Sequence, residues 1–297
     1  VLFDCLEFDE TLACTDVFYD LAFLLMDLIH RRLGHLAQRL LGGYLDDGWD
    51  DEGTALLPLF LSCRAAIRAK VLGFSLHSAD AGQRAAIGKA ARDYLDRARG
   101  FLLPAPERLV AIGGLSGTGK STLAASLAPG IGKAPGTVVL RSDLVRKRRF
   151  GKAPTERLGP EAYRPEMSEN VYRTLAERAR TLLAAGHCPI VDAVFLKPEE
   201  RSLIARVAAE AGVPFEGLWL EAPEDALVER IEARRGDASD ATSEVLRRQQ
   251  EIDPGPIGWI RLEASGSPET VLKAARVALG LQARDGVLSP PRAPESC

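Results

Sequence analysis

The chain has 297 residues, 46% hydrophobic and 27% charged, with a net charge of -3. That length accommodates two modest domains, each able to bury a core, and the charge balance excludes a general attraction to nucleic acid or to an anionic membrane. Cys5, Cys14, Cys63, Cys188 and Cys297 form neither a CxxC pair nor a metal-ligand spacing, and no signal peptide precedes them, which predicts reduced thiols in a cytoplasmic protein.

The chain opens on a strand-like Val-Leu-Phe, as a piece cut from a longer protein would. From Asp16 to Gly100 apolar residues recur at three and four, in "VFYDLAFLLMDLIHRRL", "LLPLFLSCRAAIRAKVL" and "RAAIGKAARDYLDRARGFL", which predicts helices with no intervening strand. The apolar run Leu21 to Ile29 is too short to span a membrane and contains Asp27, so it reads as a buried helix. "LPAPE", Leu103 to Glu107, carries two prolines that stop a helix and favour an extended linker.

Beyond it, "RLVAIGG", "GTVVLRSD", "CPIVDAVF", "FEGLWLEA" and "GWIRLEA" read as five strands alternating with helical segments, the pattern of a parallel sheet covered on both faces. The final "ARDGVLSPPRAPESC" is polar and proline-rich, as a disordered tail is. The expected organisation is a helical part (1–103), an α/β part (104–281) and a tail (282–297).

Gly114, Gly119, Lys120 and Ser121 fit G-x-x-x-x-G-K-[ST], between the first of these strands and the helix "STLAASLA". In such a loop successive backbone N–H groups turn toward phosphate oxygens and the helix N-terminus adds partial positive charge. The nucleoside-triphosphate cradle is therefore expected at Gly114, Ser116, Gly117, Thr118, Gly119, Lys120, Ser121 and Thr122. Lys120 would reach the outer phosphates, and the Ser121 hydroxyl would ligate Mg2+. A dinucleotide fingerprint fails because Thr122 stands where its third glycine would be.

Asp143 follows the second strand and would emerge beside this loop, where open parallel sheets bind ligands. It is a candidate base for an acceptor hydroxyl, or else the N-cap of a helix starting at Leu144. Arg146, one turn on, would hold an anionic or polyol acceptor. Asp192 ends the strand "PIVD" and is the candidate carboxylate for magnesium beside Ser121, or a capping residue before "LKPEER". Arg230 and Arg234 share a helix face ahead of "GDASDAT", a small, polar stretch suited to a closing lid; surface arginines are the alternative. "RKRRF", Arg146 to Phe150, is either a nucleic-acid patch or an anion-collecting rim.

Leu109 to Leu279 resembles the small P-loop kinases grouped with gluconate kinase, the zeta-toxin type kinases and the phage polynucleotide 5'-kinase, through "GLSGTGKST", "RSDLVRK", "IVDAVF" and "RIEARRGDASDAT". The resemblance implies a five-stranded parallel sheet, ATP with Mg2+, an acceptor-side base at Asp143, an acceptor contact at Arg146, and triphosphate contacts from Arg230 and Arg234. The opening "LFDCLEFDE" with "TDVFYDLAFLLMDL" resembles the end of an aminoglycoside phosphotransferase domain, with Asp4 its metal-binding and Asp20 its structural aspartate. That family's His-x-Asp catalytic loop does not occur in this sequence. The order of parts resembles bacterial fusions of the two, of which this chain would be the C-terminal portion, its upstream lobe missing and its first hundred residues packing without transferring phosphate.

The function expected is an ATP-dependent phosphotransferase acting on a small polyhydroxylated molecule. A nucleic-acid 5' end is the second acceptor, and a regulatory ATP-binding module without an acceptor is the competing class. Gly151 to Asn170, where acceptor contacts are expected, matches no readable pattern.

Overall fold

The computed structural model describes residues 15–233 and 236–281. The expectations for Asp4, Cys5, Cys14, Cys297, Arg234 and the tail 282–297 fall outside those residues. Helix α1 (Val17–His30) starts at Asp16, whose carboxylate accepts the Phe18 N–H at 2.8 Å, and it buries Phe18, Ala22, Leu25 and Met26 at helical spacing. Asp20 lies in its first turn with an exposed side chain 3.8 Å from Arg64 Nη2.

Helix α2 (Gly34–Gly48) belongs to none of the three named runs, because Gly42 and Gly43 interrupt the pattern. Ala37, Leu41 and Leu45 nevertheless recur every four residues and are buried. Burying a leucine contributes roughly 1.5 to 3 kcal/mol, which offsets about 1 kcal/mol for each helical glycine. Helices α3 (Leu57–Ser75) and α4 (Ala81–Phe101) pack against each other, and α3 also packs on α1.

The second part is a five-stranded sheet of β1 (Leu109–Gly114), β2 (Val138–Arg141), β3 (Pro189–Asp192), β4 (Phe215–Glu221) and β5 (Ile260–Glu263). Its order is β2-β3-β1-β4-β5 and every pairing is parallel. All of β1 is buried, as a central parallel strand covered on both faces must be. Helices α5 (Lys120–Leu127) and α11 (Pro268–Ala278) cover one face. Helices α7 (Pro165–Ala184) and α8 (Pro198–Ala211) lie against the other. Helix α6 (Ser142–Arg149) continues directly from β2, and α9 (Glu224–Ala233) and α10 (Ser243–Gln250) follow β4.

The helical part does not bury a separate core. One cluster of buried side chains runs from Phe18, Leu25 and Leu41 to Val138, Leu175, Val191 and Phe195. Polar contacts cross the same boundary: Gln38 Nε2 donates to Thr137 O at 3.0 Å, His187 Nε2 lies 2.8 Å from Thr54 O, and Arg178 grips both carboxylate oxygens of Asp51 at 2.7 and 2.9 Å. Helix α7 is thus held from behind by α2 and the turn after it. Among the described residues no helix is long and apolar enough to cross a membrane, and Cys63 and Cys188 are free thiols.

Candidate functional site

The loop between β1 and α5 is shaped by its glycines. Gly117 has φ +88°, and a Cβ there would lie 2.7 Å from Leu227 O, so the loop backbone can approach α9 only without a side chain. Gly119, at φ +90°, turns the chain into α5 and leaves open space where a Cβ would be. Thr118 Oγ1 donates to Leu115 O at 2.8 Å and Lys120 Nζ donates to the same oxygen at 2.9 Å, bracing the loop internally. Ser116 is buried and its N–H donates to Gln249 Oε1 at 2.9 Å, while Thr122 is exposed in the first turn of α5. The α5 N-terminus concentrates unspent backbone N–H groups at the carboxyl end of the sheet, a ready anion site.

Strand register brings the metal candidates together. Asp192 pairs with Ile112 of β1 and Arg141 of β2, and its Oδ2 accepts the Ser121 hydroxyl at 2.6 Å. Asp192 caps no helix, since α8 begins at Pro198 with Lys197 as its cap. A buried carboxylate touching a serine hydroxyl supplies hard oxygens suited to Mg2+. Among the described residues no group of three or more His, Cys, Asp or Glu could hold a metal.

Asp143 is not an N-cap. Helix α6 begins at Ser142, one residue after its cap Arg141, and Asp143 sits inside the first turn; no side chain caps that end. Burial raises its carboxyl pKa above the ordinary range and Asp192 raises it further, against the pull of Arg141, Lys120 and Arg146. Those neighbours place Asp143 in one electrostatic cluster with the loop lysine and the β3 carboxylate. Arg146, on the same face of α6, is buried; its Nη1 donates to Ala162 O and approaches Ser168 Oγ at 3.4 Å, and its guanidinium lies 4.8 Å from the Tyr163 ring centroid. Its Nε is buried with no hydrogen-bond partner. The unreadable segment 151–170 therefore forms the wall beside Asp143.

The basic run is split between buried and exposed positions: Arg146 and Lys147 are buried, Arg148 and Arg149 exposed. Lys147 Nζ is buried, donating to Pro154 O at 2.9 Å and pairing with Asp240 at 3.1 Å. Arg148 donates to Asp46 O at 2.8 Å and lies over Trp49, and Arg149 donates to Thr174 Oγ1 at 2.9 Å. Each of the four basic side chains from Arg146 to Arg149 therefore has at least one partner within the fold. Arg230 is half-buried and reaches Ser265 O at 3.4 Å, on the loop after β5, away from Asp143. Sequence reasoning missed Arg141, Tyr163, Asp237, Asp240 and Gln249. Arg141 was detectable as the strand-end partner of Asp192, whereas Asp237 and Asp240 lie in the stretch read as suited to a closing lid, with no role given to their carboxylates.

Residues 109–252 match the AAA domain family. Rv2004c of Mycobacterium tuberculosis, named an uncharacterized protein, is 34% identical over 278 residues, covering 90% of this chain and 53% of that protein. The adenylyl-sulfate kinase of Myxococcus xanthus is 34% identical over 120 residues, covering 39% of this chain and 59% of the kinase. The chain spans about half the length of the mycobacterial relatives, and the AAA domain match lies in its second part. Among solved structures, a gluconokinase from Sinorhizobium meliloti is 22% identical with a TM-score of 0.41, covering 60% of this chain and 94% of its own. The APS kinase CysC of Mycobacterium tuberculosis, solved with AMPPNP and APS, is 24% identical with a TM-score of 0.43, covering 60% and 99%.

Proposed function

We propose that residues 104–281 form an ATP-dependent phosphotransferase that moves the γ-phosphoryl group of ATP to a hydroxyl of a small polyhydroxylated acceptor. The observation that carries this reading is the single cluster of Lys120, the Ser121–Asp192 pair and a partly buried, raised carboxyl at Asp143, all at the carboxyl end of the sheet. Residues 114–122 would cradle the phosphates, and Ser121 with Asp192 would hold Mg2+, which when bound supplies charge neutralisation to the phosphates.

Asp143 takes the proton as the acceptor oxygen bonds to phosphorus and ADP leaves. A raised pKa makes Asp143 a stronger base than an ordinary carboxylate. Arg146 fixes the wall that faces the acceptor through Ala162 O and Ser168 Oγ. Arg230, with Arg234 assigned on sequence alone, would neutralise charge on the triphosphate. A neutral polyol is favoured over a polyanionic 5' end because two of the cations on the acceptor side are already matched, Arg141 by Asp237 and Lys147 by Asp240. The helical residues before 104 are read as the remainder of an aminoglycoside phosphotransferase-like domain, here a packing partner.

The test is ADP release with Mg2+, ATP and a panel of sugars, aminoglycosides and 5'-hydroxyl oligonucleotides. Release stimulated by a polyol supports the proposal. Tight ATP binding with turnover indifferent to every acceptor supports the regulatory module instead.

A further inference from the structure

The segment 236–242, between α9 and α10, is tied to the acceptor side by carboxylates that the proposed chemistry does not use. Asp237 Oδ1 accepts from Arg141 Nη2 at 2.8 Å and from Ala238 N at 2.6 Å. Asp240 Oδ2 accepts from Tyr163 Oη at 2.9 Å and from Leu158 N at 3.1 Å, while its Oδ1 lies 3.1 Å from Lys147 Nζ. Lys147 stands one helical turn after Asp143 on the same face of α6, so Asp240 draws together α6, the wall segment and the loop. Gly236, at φ +64° with open space around it, begins this loop.

Arg141 faces two ways. Its Nε lies 3.5 Å from Asp192 Oδ2, the oxygen that also accepts the Ser121 hydroxyl, and its Nη2 holds Asp237. At the other end of the segment, α10 returns Gln249 to Ser116 N of the phosphate loop. The loop unit therefore touches the nucleotide side at both ends and the acceptor side in its middle.

We propose that Asp237 and Asp240 are positioning residues that latch segment 236–242 across the acceptor side, and that Arg141 ties this latch to the nucleotide site through Asp192. The link rests on the kinase reading; the latch itself does not. When Asp192 shares its charge with a bound cation, its hold on Arg141 weakens and Arg141 engages Asp237 more fully. Filling the cradle thus favours closure, and by reciprocity closure slows release of the nucleotide. Opening removes Asp237 and returns Arg141 to Asp192.

The experiment uses the full chain and two readouts. Hydrogen exchange is followed over 153–160 and 236–242 without ligand, and dissociation of a fluorescent N-methylanthraniloyl-ADP with magnesium is followed by stopped flow. Asp237→Asn and Asp240→Asn each remove a charge-assisted bond, so exchange in these segments should accelerate about tenfold. Dissociation of the probe should accelerate about tenfold in Asp237→Asn and in Arg141→Gln. Since Asp240→Asn leaves Lys147 buried without its counter-charge, Tyr163→Phe serves if that variant misfolds: it removes one donor, keeps the ion pair, and should speed exchange less.

Unchanged exchange in Asp237→Asn and in the Asp240 arm overturns the latch. Faster exchange with wild-type dissociation of the probe overturns the link through Arg141 and leaves the aspartates merely structural. A wild-type protein that fails to bind the probe overturns the cradle reading and the link with it, and the exchange arm then judges the latch alone.

Discussion

Replacing Asp51 by alanine removes the counter-charge of Arg178 at the boundary between the helices and the sheet. Both side chains are almost fully buried, 5% exposed for Arg178 and 4% for Asp51, and two hydrogen bonds join them. Breaking a buried pair from one side costs about 3 to 5 kcal/mol, because the remaining charge is stranded. Arg178 would keep Leu45 O at 3.3 Å and Asp46 at 3.5 Å, which places the cost near the lower end, about 3 kcal/mol. For a chain of this size that corresponds to a fall of roughly 6 to 12 °C in Tm. Differential scanning calorimetry should show one transition, shifted down as a whole, since α1–α4 share a core with the sheet. A shift under about 2 °C would refute the buried-pair argument. Two transitions, with the ATP-responsive one at the wild-type temperature, would refute the shared core.

The Asp46 carboxyl is pushed up to about 6, chiefly by burial and against the pull of Arg178. Because this lies above the unfolded value of 3.8, its contribution to stability is complete below that value and is lost as pH rises through about 6. With 24% of the side chain exposed the effect is discounted, and urea titrations should find Asp46→Asn gaining about 1 kcal/mol more over wild type at pH 8 than at pH 5. Asp143→Asn should lower transfer to an identified acceptor by about 10² to 10⁴ and abolish the rise in wild-type rate as pH passes the raised Asp143 pKa. Its Tm near pH 8 should not fall, since burial disfavours the charged form of this carboxyl in the fold; loss of stability with retained transfer would return the residue to a structural role. Gly117→Ala drives a Cβ into Leu227 O at a positive φ, so both Tm and ATP affinity should drop, whereas unchanged affinity would contradict the loop geometry.

The strands were legible because four of them are short runs rich in apolar residues and the fifth, β5, alternates apolar with charged residues, and the phosphate loop because its glycines and lysine keep a fixed spacing that needs no tertiary knowledge. Helix α2 was obscured by Gly42 and Gly43, whose cost only tertiary burial offsets. The start of α6 was placed two residues late, since Ser142 and Asp143 both read as N-cap residues whereas the observed cap is Arg141, a residue type that carries no such signal. The basic run misled because charge patterning does not reveal partners: Lys147 is buried against Asp240, far away in sequence. For the same reason Asp237 and Asp240 read as flexible loop until the fold set them against Arg141 and Lys147. The continuity of the core across 103–104 also escaped, because a change in texture along the chain does not show which faces meet.

The account stands on the loop after β1 gripping a triphosphate, and isothermal titration of the wild type and Lys120→Ala with ATP and magnesium tests this most directly. In the proposed site Lys120 would supply charge-assisted contacts worth about 1.5 to 3 kcal/mol each, so the variant should bind roughly 10- to 150-fold more weakly with an unchanged far-ultraviolet circular dichroism spectrum. Equal affinity in the two proteins, or no ATP binding by the wild type, would contradict it.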